Sequence, residues 1–299
     1  MSPSMQERLW LYKGAQLQGH NITPVFVFDG APLPAKAQEN AARSRSRADW
    51  KLKAKNLLQE RQEEQDGRAV FLACADAQLA FLSRHKHVDV VISDDLDCVP
   101  YGVKTVLFKL TLNEWCSELK RKSLGANEEL SFVGWIEEMQ FILFCVLAGC
   151  DYCPSVRGVG IFTAFKLVNQ YKTPKEVLEA LQQQRESLVP EDFAKHFYSA
   201  ILTYRHQLVF DPRDMKLKML CPLGISKDIL QRVDKGLSFL GNLELRDDIV
   251  ASIASGHIHP VTHESYAWKD TAAAVLLETE VVANHKRSTR SLTSFEAVE

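Results

Sequence analysis

Acids at the ends of apolar runs are the residues of this chain with the clearest chemical potential. Asp94, Asp95 and Asp97 follow Val88, Val90, Val91 and Ile92, a run that is β-branched and too short for a helix. Asp29 closes the apolar stretch Pro24–Phe28 and is followed by Gly30. Burying a carboxylate is costly unless it is paired or coordinates a metal. A hard divalent cation is one compensation. A solvated loop, with Asp94 or Asp95 capping the next helix, is the other reading of the 88–97 stretch taken alone.

Two further acids, Asp76 and Asp151, sit at a helix start and in a loop. Ligands of an open parallel sheet lie at the carboxyl ends of its strands. Asp29, Asp76, Asp95, Asp97 and Asp151 gathered on one edge would repel one another unless neutralised. That is the electrostatic setting of a two-metal site, in which paired cations stabilise an in-line phosphoryl displacement. A second constellation is Arg157-Gly-Val-Gly160 ahead of a helix. Its glycines allow close backbone approach to a phosphate, and the helix N-terminus supplies amide donors. By itself the motif also suits an ordinary tight turn. Flanking Arg157 and Lys166 favour a helix–turn–helix that grips a nucleic-acid backbone without reading bases.

The elements that must position these residues follow from periodicity. Strands are predicted at Pro24–Phe28, over Val88–Ile92 and over Lys104–Lys109, the first apolar enough to be buried on both faces of a parallel sheet. A short helix is predicted near Leu9–Leu17 and another over Ala73–Arg84. The segment from Lys36 to Gln65 favours helix, with a basic first half (Lys36, Arg43, Arg45, Arg47, Lys51, Lys53, Lys55) that suits a phosphate-facing surface. Residues 111–131 read as mixed helix and loop. From Phe132 the pattern is mostly helical: an apolar helix over Ile136–Ala148 ending at Gly149, one over Ile161–Tyr171, one opened by Thr173 as N-cap and Pro174, and one over Glu191–Tyr204. Leu208–Pro212 reads as a short extended return.

Composition sets limits. The 299 residues are 46% hydrophobic and 25% charged, ordinary for a soluble globular protein. A formal net charge of −2 does not announce a nucleic-acid binder, so that reading rests on where the charges lie. The seven cysteines form no repeated metal-type pairs; Cys150 and Cys153 are the nearest approach, and no second pair follows. A reducing compartment is expected, with no membrane span and no secretory signal.

In their order, VFVFDG, CADAQLAFL, VVISDDLD, VLAGCDYCPSVRGVGIFTAFKLV and HQLVFDP resemble the motifs of the flap endonuclease (XPG) superfamily of structure-specific 5′ nucleases. The resemblance runs from about Ile22 to Tyr266, and HQLVFDP with Gly241-Asn242 is most similar to the exonuclease 1 branch. It implies a parallel-sheet, PIN-like α/β core followed by a helical region with a helix–two-turn–helix. Expected boundaries are a nuclease core over 1–131, a helical DNA-binding region over 132–266 and a flexible tail over 267–299. The implied function is 5′ to 3′ double-stranded DNA exonuclease with 5′ flap endonuclease activity in repair or recombination. The implied partners are duplex DNA with 5′ ends, nicks or flaps and repair proteins, with a monomer in the nucleus.

Carried over motif by motif, the resemblance assigns Asp29, Asp76, Asp95, Asp97 and Asp151 to two Mg2+ ions. It assigns Lys36 and Arg43 to the scissile phosphate. Ser155, Val156, Gly158, Gly160 and Ile161 match a turn that binds DNA and K+, and Asp94 matches an acidic position outside the ligand set. Three departures stand out. The family's first strand, with another metal-site Asp, is expected ahead of the FDG strand and is not found. Cys74 stands where the family carries Glu, and a thiol is a soft ligand with little affinity for Mg2+. The segment between Gly30 and Cys74 is shortened. Without a first strand, the neighbours in the sheet are expected to expose unpaired edges. Alternatives are a DNA-binding relative without catalysis, an incomplete gene model of an active enzyme, and a metal-dependent phosphatase with strand-end aspartates.

Overall fold

The computed structural model describes residues 14, 16–29, 36, 68–72, 74–111, 115–133, 135, 138–224, 229, 232–233, 237–242 and 244–265. Arg43 and the tail over 267–299 lie outside them, as do the basic helix apart from Lys36 and most of the helix expected near Leu9–Leu17. A helical turn over 16–19 leads into strand β1 (Val25–Asp29).

Strand β1 pairs in parallel with β2 (Arg68–Leu72), with Val25 opposite Arg68 and Asp29 opposite Leu72. Strand β2 was not anticipated from sequence, although Ala69-Val70-Phe71-Leu72 is an apolar run after Asp66-Gly67. Helix α1 (Ala75–Arg84) follows and buries Ala77, Ala80, Phe81 and Leu82. Its spacing of small and large apolar residues gives one helical face to the core. Asp76 lies in the first turn and Arg84 in the last, each favoured by the helix dipole.

A second sheet begins at β3 (Val91–Ile92), parallel to β4 (Thr105–Phe108), which pairs antiparallel with β5 (Ser117–Lys120). The expected strand from Val88 is thus much shorter. Val91 is buried while Val90 is 37% exposed, so the apolar run does not continue as a buried strand. Strand β5 and the 3-10 helix Arg121–Ala126 replace the mixed helix and loop expected there. Among the described residues, no hydrogen-bonded pairing joins β1–β2 to β3–β4–β5. Among the described residues, β1 pairs with β2 alone and β3 with β4 alone.

The helical part contains α2 (Glu138–Ala148), α3 (Ile161–Tyr171), α4 (Pro174–Arg185) and α5 (Phe193–His206). Gly149 closes α2 at a φ of +135°, a conformation that favours glycine. Thr173 caps α4 as expected: its Oγ1 accepts from the Glu176 amide at 3.3 Å and donates to Glu176 Oε2 at 2.7 Å. Phe132, Trp135, Phe141, Phe144 and Phe165 form an aromatic cluster between α2 and α3, with Trp135 stacked on Phe165 at 4.9 Å.

Strand β6 (Leu208–Asp211) is buried throughout and pairs antiparallel with β7 (Lys216–Met219). The last helix is α6 (Asp247–Ala254). One hydrophobic core runs from Cys74 in front of α1 to Leu240, so the α/β part and the helices share their interior. Gln78 of α1 reaches across it. Its Nε2 donates to Phe210 O at 2.9 Å, and its Oε1 accepts from the Phe210 amide at 2.9 Å. Among the described residues, no helix is long and apolar enough to cross a membrane.

Candidate metal centre and nucleic-acid turn

Three acids from three segments meet around one ammonium group. Lys36 Nζ lies 3.0 Å from Asp151 Oδ2, 3.6 Å from Asp97 Oδ2 and 3.9 Å from Asp76 Oδ2. The elements explain the meeting. Asp76 is fixed by the first turn of α1, and Asp97 by a 3-10 helix, Leu96–Cys98, just past the carboxyl end of β3. Asp151 sits in the loop after α2, where Cys150 and Cys153 form an isolated antiparallel bridge that turns the chain around it.

Beneath this group lies a tyrosine floor. Lys36 Nζ stands 5.2 Å from the centre of the Tyr152 ring, within cation–π range. Tyr152 Oη is 2.6 Å from Tyr101 Oη, and both rings pack edge-on against Tyr204 at 5.1 and 4.9 Å. Burial raises the pKa of all three phenols, which therefore stay neutral.

Side-chain exposures are 14% for Lys36, 15% for Asp76, 22% for Asp151 and 28% for Asp97, so water screens the group poorly. Burial disfavours the Lys36 ammonium, but Cys74, Asp76 and Asp151 outweigh it and lift its pKa above the ordinary lysine value. The Asp97 pKa is raised, first by burial and then by Asp95 and Asp151, against the opposing pull of Lys36. Among the described residues, Lys36 is the cation that faces all three acids.

Not every candidate joins. Asp95 is exposed and caps the 3-10 helix, its Oδ1 accepting from the Asp97 amide at 3.0 Å. It borders the group without touching Lys36 among the described contacts. Asp94 Oδ1 accepts from the Lys109 amide at 2.9 Å, which ties the end of β3 to the end of β4. The backbone of Asp29 ends β1; its side chain and Arg43 lie outside the described residues. Cys74 is buried at the N-cap of α1, its thiol 3.7 Å from Tyr101 Oη.

Among the described residues, no three Asp, Glu, His or Cys side chains stand close enough together to hold a metal ion as they are. Lys36 fills the space between the acids. The donor set nonetheless fits a hard cation: it is carboxylate oxygen, and a cation already occupies its centre.

The glycine turn is built as its sequence suggests. The Val159 amide donates to Val156 O at 3.0 Å, Gly158 has a φ of +80°, and Gly160 is the N-cap of α3. Val156 and Val159 are buried as anchors, while Ser155, Gly158, Gly160 and Ile161 face outward. Arg185, at the end of α4, was missed by sequence reasoning. A Cβ added to Gly158 would lie 2.7 Å from Arg185 Nη1, so the guanidinium backs the turn. No local motif marks Arg185; only the packing of α4 brings it there.

The described architecture is an α/β core with acids beyond its parallel strands, continued by helices that carry a glycine turn. Two family models match in order: the XPG N-terminal domain over residues 6–50 and the XPG I-region over residues 73–151, the latter spanning Asp76, Asp95, Asp97 and Asp151. In these two regions the chain matches the XPG family models. Exonuclease 1 of Arabidopsis thaliana is 30% identical over 273 residues, covering 82% of this chain and 36% of that protein. Exodeoxyribonuclease 1 of Schizosaccharomyces pombe is 26% identical over 309 residues, covering 93% of this chain and 52% of that protein. The chain thus spans about a third to a half of the length of these relatives. The solved catalytic core of Rad2 in complex with DNA substrate shares the fold, with a TM-score of 0.50 and 21% identity over 65% of this chain and 67% of that one.

Proposed function

We propose that this chain is a metal-dependent 5′ nuclease: a 5′ to 3′ exonuclease on duplex DNA with 5′ flap endonuclease activity, acting in repair or recombination in the nucleus as a monomer. The observation that carries the reading is the convergence of Asp76, Asp97 and Asp151 on one cation position, 3.0–3.9 Å from a single ammonium.

Asp76, Asp97 and Asp151, together with Asp95 and Asp29, would hold two Mg2+ ions. When bound, such ions activate water and offset charge on a phosphodiester under attack. The protein's own residues do the rest. Lys36, and Arg43 with it, would meet the scissile phosphate and stabilise its growing negative charge. The tyrosine floor excludes water from beneath the reacting group. The turn from Ser155 to Ile161, with the α3 N-terminus and Arg185, would hold the duplex backbone a few residues beyond Asp151 and set the register of the 5′ end, with a place for K+.

The test is cleavage of a 5′-recessed duplex and a 5′-flapped duplex in Mg2+, comparing the wild-type chain with Asp97→Ala. The expected result is wild-type release of short 5′ products and a loss of about a hundredfold or more in the variant. A second reading, a DNA-binding relative without catalysis, draws on Cys74, whose soft thiol stands at the edge of the acid group. It would be established by salt-sensitive duplex binding with no cleavage by the wild-type chain.

A further inference from the structure

The chemistry of the Lys36 seat differs from that of a site shaped only for a divalent ion. Three of its sides are the carboxylates of Asp76, Asp97 and Asp151, and the fourth is the face of Tyr152. An aromatic face attracts an ammonium, whereas a Mg2+ ion keeps oxygen ligands and water. Tyr152 is locked there by Tyr101 and Tyr204. The seat is therefore built for a lysine, and it lies where a metal would have to enter.

We propose that Lys36 is the resident counterion of the acid cluster and that a divalent ion binds by displacing it; this rests on the reading of the cluster as a metal site. Without metal, the ammonium gathers three mutually repelling carboxylates around one point, and the acids close further on the ion that replaces it. Its presence also lowers metal affinity, because the ammonium and the incoming ion compete for the same oxygens and repel each other. A DNA phosphate gives the displaced ammonium a new partner. Substrate and metal should therefore strengthen each other's binding by the same factor. The protein without DNA would hold metal weakly, and full loading would await a substrate end. Lys36 acts in this step as a positioning residue, apart from any contact with the reacting phosphate.

The experiment is calorimetric titration of Mg2+ into the full chain without DNA, for wild type, Lys36→Met, Lys36→Arg and Asp97→Asn. Methionine keeps the apolar stem and removes the charge. The expected result is Mg2+ binding about tenfold tighter or more in Lys36→Met, no gain in Lys36→Arg and weaker binding in Asp97→Asn. Wild-type or weaker affinity in Lys36→Met, with Asp97→Asn still impaired, would overturn the proposal and leave the metal site standing. No Mg2+ binding by wild type or Lys36→Met would overturn both. A measurement that needs no variant is 15N NMR of lysine side chains in the wild type. One ammonium protected from exchange should shift on Mg2+ addition, and an unmoved signal would sink the displacement step.

Discussion

His206 is held neutral inside the core. It is 4% exposed, and its ring Nδ1 lies 2.9 Å from Cys221 O, to which it donates as the neutral tautomer. Burial lowers its pKa below the ordinary histidine value; the Cys221 carbonyl partly opposes this and Arg205 adds to it. The unfolded chain takes up a proton at about 6.5 while the folded chain still resists. Stability from this residue is complete above that pH and is lost as pH falls toward the lower folded pKa. Urea unfolding at about pH 7.5 and about pH 5.5 should show a drop that His206→Gln reduces. His87, also lowered by burial, acts in the same direction. The single residues differ in how readable they are from sequence. Asp76, Asp97 and Asp151 are marked by their motifs. The tyrosine floor, Arg185 and the seat of Lys36 depend on which side chains the fold brings together, and no local pattern carries that.

Elements with a strong period or a clear cap are legible in the sequence. Helix α3 spans Ile161–Tyr171 as expected, and α4 starts at Pro174 behind its Thr173 cap. The strands are less so. Val88–Ile92 has the composition of a strand, but only Val91 and Ile92 pair, because β4 supplies partners to those two alone. Strand β5 is Ser-Glu-Leu-Lys, a polar edge whose pairing with β4 outweighs its weak local preference. The glycine turn carries an element-scale prediction. At Gly158 the φ of +80° strains any side chain, and a methyl group would press on Arg185. Gly158→Ala should cost about 1–3 kcal/mol in chemical denaturation. It should also weaken duplex affinity several-fold in a binding titration at fixed salt, with Mg2+ affinity unchanged.

Across the whole molecule, the α/β class and the order of parts were readable because the motifs occur in sequence along the chain. Which strands lie beside one another, β1 with β2 and β3 with β4 among the described residues, takes the fold to reveal. The joining of the two halves rests on tertiary contacts as well. Gln207 Nε2 donates to Leu240 O at 2.6 Å, and Gly241 lies against Leu208, so two segments picked out separately by resemblance form one contact. Gln78 ties α1 to β6 through both polar groups of Phe210. Gln78→Leu would leave both buried backbone groups without partners and should cost about 2–4 kcal/mol in urea unfolding. That same link sets an order of events during synthesis. Its two ends are 132 positions apart, and Asp76 stands two residues before Gln78 on the same helix. A nascent chain stopped short of Phe210 already contains every acid of the cluster, yet the helix that aims Asp76 still lacks its anchor. The acid edge of this protein is thus written early and set late, so a half-made chain carries the acids without the arrangement that gathers them.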